Sequence, residues 1–326
     1  MSFCSYIKAA RAFTVFALIA TLPDIACAGY PDKIIRIVVP FAPGGGTDLI
    51  ARTLAQEMAK DLGATVIIET KPGAGTIIGT QAVATSEPDG YTLLMGTFAN
   101  AVNPSLNSKL PYDAHKDFAP VALIARSFNI VVVNPNSPIK SIPELIAAAR
   151  TDPGKLSYGT FGTGTSAHLA GELFKRMAAV NLTTVPYKGA APAITDLLGG
   201  QIQVMFTTVA SAASLIAGGQ LRALAVTSSE RSPAFPAIPT VAESGVPGYA
   251  AESWYGLFTP AKTPADIIVR LNKSAATAVQ SEAFEKLGIN EGLVMVASPP
   301  AELDRYVRGE EERWRKVIED AHIKVD

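Results

Sequence analysis

The sequence predicts an α/β fold, and three observations carry that expectation. Short apolar runs alternate with stretches of helical periodicity along most of the chain. Turns marked by glycine or proline stand where one pattern gives way to the next. The 326 residues, 48% of them apolar, are enough for two domains with substantial cores. Strands and helices in this alternation point to parallel sheets.

The elements follow in order. IIRIVVPF (34–41) feeds a helix near 48–62, ATVIIET (64–70) leads to a helix over 79–86, and YTLLMGT (91–97) precedes two runs, VALIAR and FNIVVVN. A helix is predicted around 142–150, opened by Ser141-Ile142-Pro143-Glu144, a capping box with proline just inside. LSYGTF then precedes SAHLAGELFKRMA, LTTVPY precedes APAITDLLGG, IQVMFTT precedes ASAASLIAGG, and LRALAVTS closes the series. The rhythm breaks over 229–250, which is rich in Pro, Ser, Ala and Gly and reads as a long connection or a crossing. A strand (252–258), a helix (264–279) and a final amphipathic helix (299–321) complete the chain. In that last helix Leu303, Tyr306, Val307, Trp314, Val317 and Ile318 share one face, and RGEEERWRK is read as its solvated side.

The N-terminus has a different character. Lys8 and Arg11 precede the apolar run Ala12–Leu22, and Ala26-Cys27-Ala28 follows as a small-x-small cleavage pattern. This is a secretory signal peptide, residues 1–28, since the run falls well short of the roughly 20 residues a membrane span needs. A lipoprotein cut before Cys27 fits less well, because Asp24 stands where an aliphatic residue belongs. Cys4 and Cys27 both lie in the removed segment, so the mature chain has no disulfide, thiol nucleophile or thiolate metal site. An exported protein of this kind is expected in the periplasm. Lys+Arg 28 against Asp+Glu 29 leaves a net charge of -1, with no block of like charge to bind nucleic acid or a membrane surface.

Two glycine turns carry the chemistry. VVPFAPGGGTDLIARTL (38–54) and YGTFGTGTSAHLAGELF (158–174) each run from strand through glycines into a helix. Helix N-termini present unpaired N–H groups and the positive end of a dipole, so such turns hold anions. A nucleotide-triphosphate loop needs GxxxxGK[ST], and no lysine lies between Lys33 and Lys60. A dinucleotide site is also weak. Glu69 is suitably placed after the first turn, but Leu49 replaces the third glycine; the second turn has GxGxxA at 162–167, yet no acid ends the strand after it. No cofactor is therefore expected. Backbone N–H groups of Gly44–Thr47 and Gly162–Ser166, with the hydroxyls of Thr47, Thr163, Thr165 and Ser166, can hold a carboxylate without Lys or Arg. Asp48 is favoured as a helix cap over a ligand contact. His168 lacks the partners of a metal site and is better placed to hydrogen-bond behind the loop. Hydrolysis has thin support: Gly-x-Ser-x-Gly is absent, and Ser166 and His168 point about 200° apart on one helix.

Several segments together resemble one family. They are VVPFAPGGGTD, KPGAGTIIG, EPDGYTLL, NPSLNSKLPYD, KDFAPVALIA, YGTFGTGTSAHLAGELF, VPYKGAAPAITDLLGGQIQVMF, AIPTVAESGVPGY and WYGLFTPAKTP. In this order, over nearly all of the mature chain, they resemble the Bug-type periplasmic solute-binding receptors of tripartite tricarboxylate transporters. The resemblance implies a two-lobed type II periplasmic-binding fold, a Venus flytrap with its ligand cleft between the lobes. Lobe 1 would comprise 29–130 plus 253–326 and lobe 2 131–252, with crossings near 128–133 and 248–255. It implies a monomeric receptor, not an enzyme, that captures a small carboxylate and docks on the transporter's membrane subunits. A sensor for a membrane kinase and, more remotely, a periplasmic hydrolase are the alternatives. Carried onto this chain, the ligand-binding residues would be Phe41, Pro43, Gly44, Gly45 and Thr47, with Gly162, Thr163, Gly164, Thr165, Ser166 and His168 opposite. Thr97, Tyr187, Asp196 and Thr207 follow as weaker candidates. The chain departs from the family pattern at Gln203, where Asp is common, and at Thr207-Thr208, where an acid is frequent. The second departure favours a carboxylate without an amino group.

Overall fold

The computed structural model describes residues 29–232, 234–320 and 323. The expected signal peptide, 1–28, lies outside the described residues. The elements that follow belong to one compact unit that begins at Lys33. Its first half runs β1 (Ile35–Val39), α1 (Gly46–Leu62), β2 (Val66–Thr70), α2 (Ile77–Ala84), β3 (Thr92–Thr97), α3 (Phe98–Leu106) and β4 (Phe118–Val133). Then come α4 (Ile142–Thr151), β5 (Ser157–Thr160), α5 (Ser166–Met177), β6 (Thr183–Pro186), α6 (Ala190–Leu198), β7 (Val204–Thr208), α7 (Val209–Ala217) and β8 (Arg222–Val226). After the long connection follow β9 (Glu252–Pro260), α8 (Ala265–Val279), α9 (Glu282–Glu291), β10 (Val294–Met295) and α10 (Pro300–Asp320).

The strands order as β2-β1-β3-β9-β4-β7-β5-β6, with β8 and β10 also on β4. The outer pairs β1/β2, β1/β3, β5/β6 and β5/β7 are parallel, as the alternation predicts. The central pairs are not. β9 runs antiparallel to both β3 and β4, and β4 antiparallel to β7 and β8. The purely parallel expectation therefore holds only away from the middle, because β4 and β9 lie beside strands that run against them. VALIAR and FNIVVVN are one continuous strand of 16 residues rather than two.

β4 changes partners part-way along. Phe118 to Phe128 face β9, ending at the pair Phe128↔Glu252. From Asn129 the strand faces β7, and from Ile130 also β8. Buried Thr227 pins this handover: its N–H donates to the Asn129 carbonyl at 2.8 Å, and its own carbonyl accepts the Ala251 N–H at 2.8 Å. Its hydroxyl also accepts the Asn129 N–H at 2.9 Å. Backbone groups at such a crossing are sealed from water and must be paired internally.

Two helices escape the sequence reading. α3 contains Pro104, which forfeits an intrahelical bond and hides the helical pattern; Thr97 caps it, with Asn100 Oδ1 accepting the Thr97 N–H at 2.9 Å. α9 is bracketed by a Ser281 cap and by Gly292 in the left-handed region. On α10 Leu303, Trp314 and Ile318 are buried as expected, Trp314 meeting Phe98 edge-to-face at 4.9 Å. The charged run is not wholly solvated, however. Glu310 turns inward beside Arg313, and burial pushes its carboxyl above the usual range.

Candidate functional site

The turn after β1 is braced from within and from across the sheet. Gly44 donates its N–H to Asp48 Oδ2 at 3.0 Å, and Arg52 Nε pairs with the same oxygen at 2.9 Å. Asp48 thus ties the turn to the first turn of α1, as a carboxylate near a helix N-terminus is suited to do. Gly46, the first residue of α1, donates its N–H to Ser211 Oγ at 2.8 Å, and Ser211 shares a 2.9 Å hydrogen bond with Thr208. A Cβ on Gly46 would stand 2.9 Å from Ala210 Cβ and from Ser211 Oγ, so only glycine allows this approach. A backbone bond also ties the first turn to the segment between β6 and α6, from the Ala42 N–H to the Lys188 carbonyl at 2.9 Å.

The turn after β5 is organised by its own side chains. Thr165 Oγ1 donates to the Gly162 carbonyl at 2.6 Å, and Gly162 N–H donates to Thr160 Oγ1 at 3.2 Å. Gly164 N–H donates to His168 Nδ1 at 3.2 Å. Ser166 Oγ donates to Asn129 Oδ1 at 3.2 Å and so ties the start of α5 to the handover point of β4. Thr165, Ser166 and His168 are buried behind the turn.

Two spaces adjoin these turns. One, of about 10 Å³, is bordered by Phe41, Gly45, Thr47, Phe161 and Ser211 and has room for about one water. The other, of about 200 Å³, is lined by Pro40 and residues 73–76, 161–163 and 186–188. Phe41 and Phe161 meet edge-to-face at 6.1 Å and border the smaller space, Phe161 lining both. Residues 73–76 form a third turn that the sequence reading leaves outside the site. Ala74, Gly75 and Thr76 are all left-handed, with φ of 47°, 58° and 83°. Asn103 Nδ2 holds them by donating to the Gly75 carbonyl at 3.3 Å and Thr76 Oγ1 at 3.2 Å. A Cβ on Gly75 would overlap the Thr163 carbonyl oxygen.

The candidate residues thus divide. Phe41, Gly45, Thr47, Gly162, Thr163 and Tyr187 border the two spaces. Gly44, Gly164, Thr165, Ser166 and His168 make the hydrogen bonds that shape the turns. Pro43 is exposed beside the first turn. Thr97 serves α3, and Thr207 is buried in β7 opposite Ile130. The Tyr187 hydroxyl donates to Asp196 Oδ2 at 2.6 Å; burial and that carboxylate together push the phenol up to about 12. Phe161, Ser211, Lys188 and residues 73–76 are additions from the structure. Lys188 is exposed, lines the larger space and forms no ion pair among the described residues.

A two-lobed α/β chain whose halves share a strand has the fold of a type II periplasmic binding protein. The chain belongs to the tripartite tricarboxylate transporter receptor family: the model described as "Tripartite tricarboxylate transporter family receptor" matches residues 50–323. It is 37% identical over 298 residues to protein BugT of Bordetella pertussis, covering 91% of each chain. The structure of the periplasmic binding protein BugD is similar at 34% identity and a TM-score of 0.88, covering 90% of this chain and 99% of that one. The structure of R. palustris Rpa4515 with adipate is similar at 35% identity and a TM-score of 0.87, with the same coverage. Members of this family are solute-binding receptors rather than enzymes.

Proposed function

We propose that this chain is exported by its N-terminal signal peptide, captures a small carboxylate in the cleft, and delivers it to the membrane subunits of a tripartite tricarboxylate-type transporter. Lobe 1 would be 29–130 plus 253–326 and lobe 2 131–252, working as a monomer. The observation that carries the reading is the space of about 200 Å³ where the turns at 73–76 and 161–163 converge. It suits a ligand of modest size, lined by glycines and by Thr76 and Thr163, with Lys188 as a charge partner. The adipate bound by Rpa4515 supports an acid as the ligand class. A ligand that touches both lobes favours the closed state by its differential affinity, which for a micromolar ligand is at most about 8 kcal/mol.

Thermal-shift and calorimetric screening of mono-, di- and tricarboxylates and aromatic acids tests this. A hit that raises the melting temperature and is recovered chemically unchanged supports a receptor; no hit among acids argues against it. Uptake and transcriptional response in a deletion strain separate transport from sensing for a membrane kinase.

A further inference from the structure

The bond that shapes the second turn fixes a protonation state. The Gly164 N–H donates to His168 Nδ1 at 3.2 Å. A backbone amide has only its hydrogen to offer, so Nδ1 must present a lone pair and the neutral ring carries its hydrogen on Nε2. Nε2 stands 3.9 Å from Glu172 Oε1, beyond hydrogen-bond range. That oxygen already accepts from Tyr158 Oη at 2.6 Å, Thr184 Oγ1 at 2.9 Å and Lys175 Nζ at 3.0 Å.

The ionisable surroundings are few. Glu172 and Lys175 share α5 with His168, and Tyr158 faces it from β5. Tyr249 donates its hydroxyl to the Ala170 carbonyl on the same helix. β7 contains no ionisable residue, and β4 only Arg126, in the segment paired with β9. Burial pushes the imidazole below its ordinary value, against the pull of Glu172 and with the help of Lys175. Burial alone would raise Glu172, but the hydrogen bonds from Tyr158, Lys175 and Thr184 prevail and hold it low, so it stays an anion.

We propose that His168 is a positioning residue that makes ligand affinity depend on pH: its neutral Nδ1 holds the Gly164 amide and with it the cavity-lining Gly162–Thr163 segment. Protonation at Nδ1 sets two donors against each other, and the turn is released. This rests on the reading of the cavity as the ligand site.

The test compares the wild type with His168→Asn and His168→Leu. An asparagine Oδ1 stands near the position of Nδ1 and accepts the same bond, but does not titrate in this range. The probe is adipate, measured by calorimetry at about pH 7.5 and about pH 5. The wild type is expected to lose at least about twofold more affinity on acidification than His168→Asn, whose own loss reports the ligand's protonation. His168→Leu is expected to bind weakly at both. Equal pH dependence in the wild type and His168→Asn overturns the proposal. NMR on the ¹⁵N-labelled wild type supplies an arm that needs no ligand: Nδ1 should be unprotonated at neutral pH, and the Gly164 amide should shift with the titration of His168. If adipate binds the wild type at neither pH, the carboxylate reading loses support, and a Gly164 amide that ignores that titration then overturns the His168 role by itself.

Discussion

Ser211 Oγ accepts the backbone N–H of Gly46, 165 positions earlier in the chain, at 2.8 Å. The N-terminus of α1, an anion-binding element by its nature, is here capped by a hydroxyl from α7. Ser211→Ala should remove that clasp without opening a cavity of note. Calorimetry should show ligand affinity falling roughly three- to tenfold, since a single net hydrogen bond contributes about 1 kcal/mol. An unchanged dissociation constant would show that the clasp is incidental to closure.

Gly75→Ala tests the third turn. The backbone at Gly75 is left-handed, a conformation alanine adopts at a cost of about 1 kcal/mol, so the fold should survive. The added Cβ, however, would strike the Thr163 carbonyl. The expected result is a circular dichroism spectrum like the wild type's with affinity reduced at least ~30-fold, the equivalent of about 2 kcal/mol of overpacking. Solution scattering should report a wider mean opening in the presence of ligand.

Tyr187→Phe separates a bracing role from a contact with ligand. The phenol's hydrogen bond is already directed to Asp196 at 2.6 Å. Removing it should lower stability by about 1 kcal/mol at most, because the pair is partly exposed. Ligand affinity should stay within about twofold. A large loss of affinity with no change in melting temperature would return Tyr187 to the ligand.

Glu291 has its own pH signature. Burial pushes this half-buried carboxyl up to about 7, well above its unfolded value, and one of its oxygens has no hydrogen-bond partner. A raised folded value means that folding takes up a proton, so the contribution is stabilising below about pH 4.5 and is lost as pH rises through 7. Glu291→Gln should therefore raise the melting temperature relative to the wild type at about pH 8, with the gap shrinking towards about pH 5. His168, with its lowered value, acts in the opposite sense below its unfolded value, so the difference between the two proteins isolates Glu291.

The two glycine turns were legible because each lies within one strand–turn–helix unit, where local chemistry decides conformation. His168 as a support behind the turn was legible for the same reason, whereas Asp48, expected to cap the helix, instead accepts the Gly44 N–H, and the N-cap Gly45 of α1 has no side-chain cap. What escaped depends on distant partners. Ser211 has no local mark that distinguishes it from Ser214 on the same helix; only the arrival of Gly46 makes it a cap. The left-handed run at 74–76 includes Ala74 and Thr76, residue types that advertise nothing of the kind, and Asn103 from α3 holds it in place. Ser127 falls between the runs VALIAR and FNIVVVN, which read as two strands, whereas β4 carries it through towards a change of neighbours. Asp196 and Thr207 were candidates only through the family resemblance, but Asp196 is matched to Tyr187 and Thr207 lies inside β7.

The handover on β4 bears on how such a molecule can be divided. A single strand supplies Phe118–Phe128 to one set of neighbours and Asn129–Val133 to the other, and Thr227 fastens the junction. Expressed alone, either portion would expose a raw sheet margin, the kind of surface that recruits another chain. An engineered sensor built on this scaffold should therefore keep residues 118–133 unbroken and take its reporter elsewhere, for instance in the exposed tip at Gly218-Gly219.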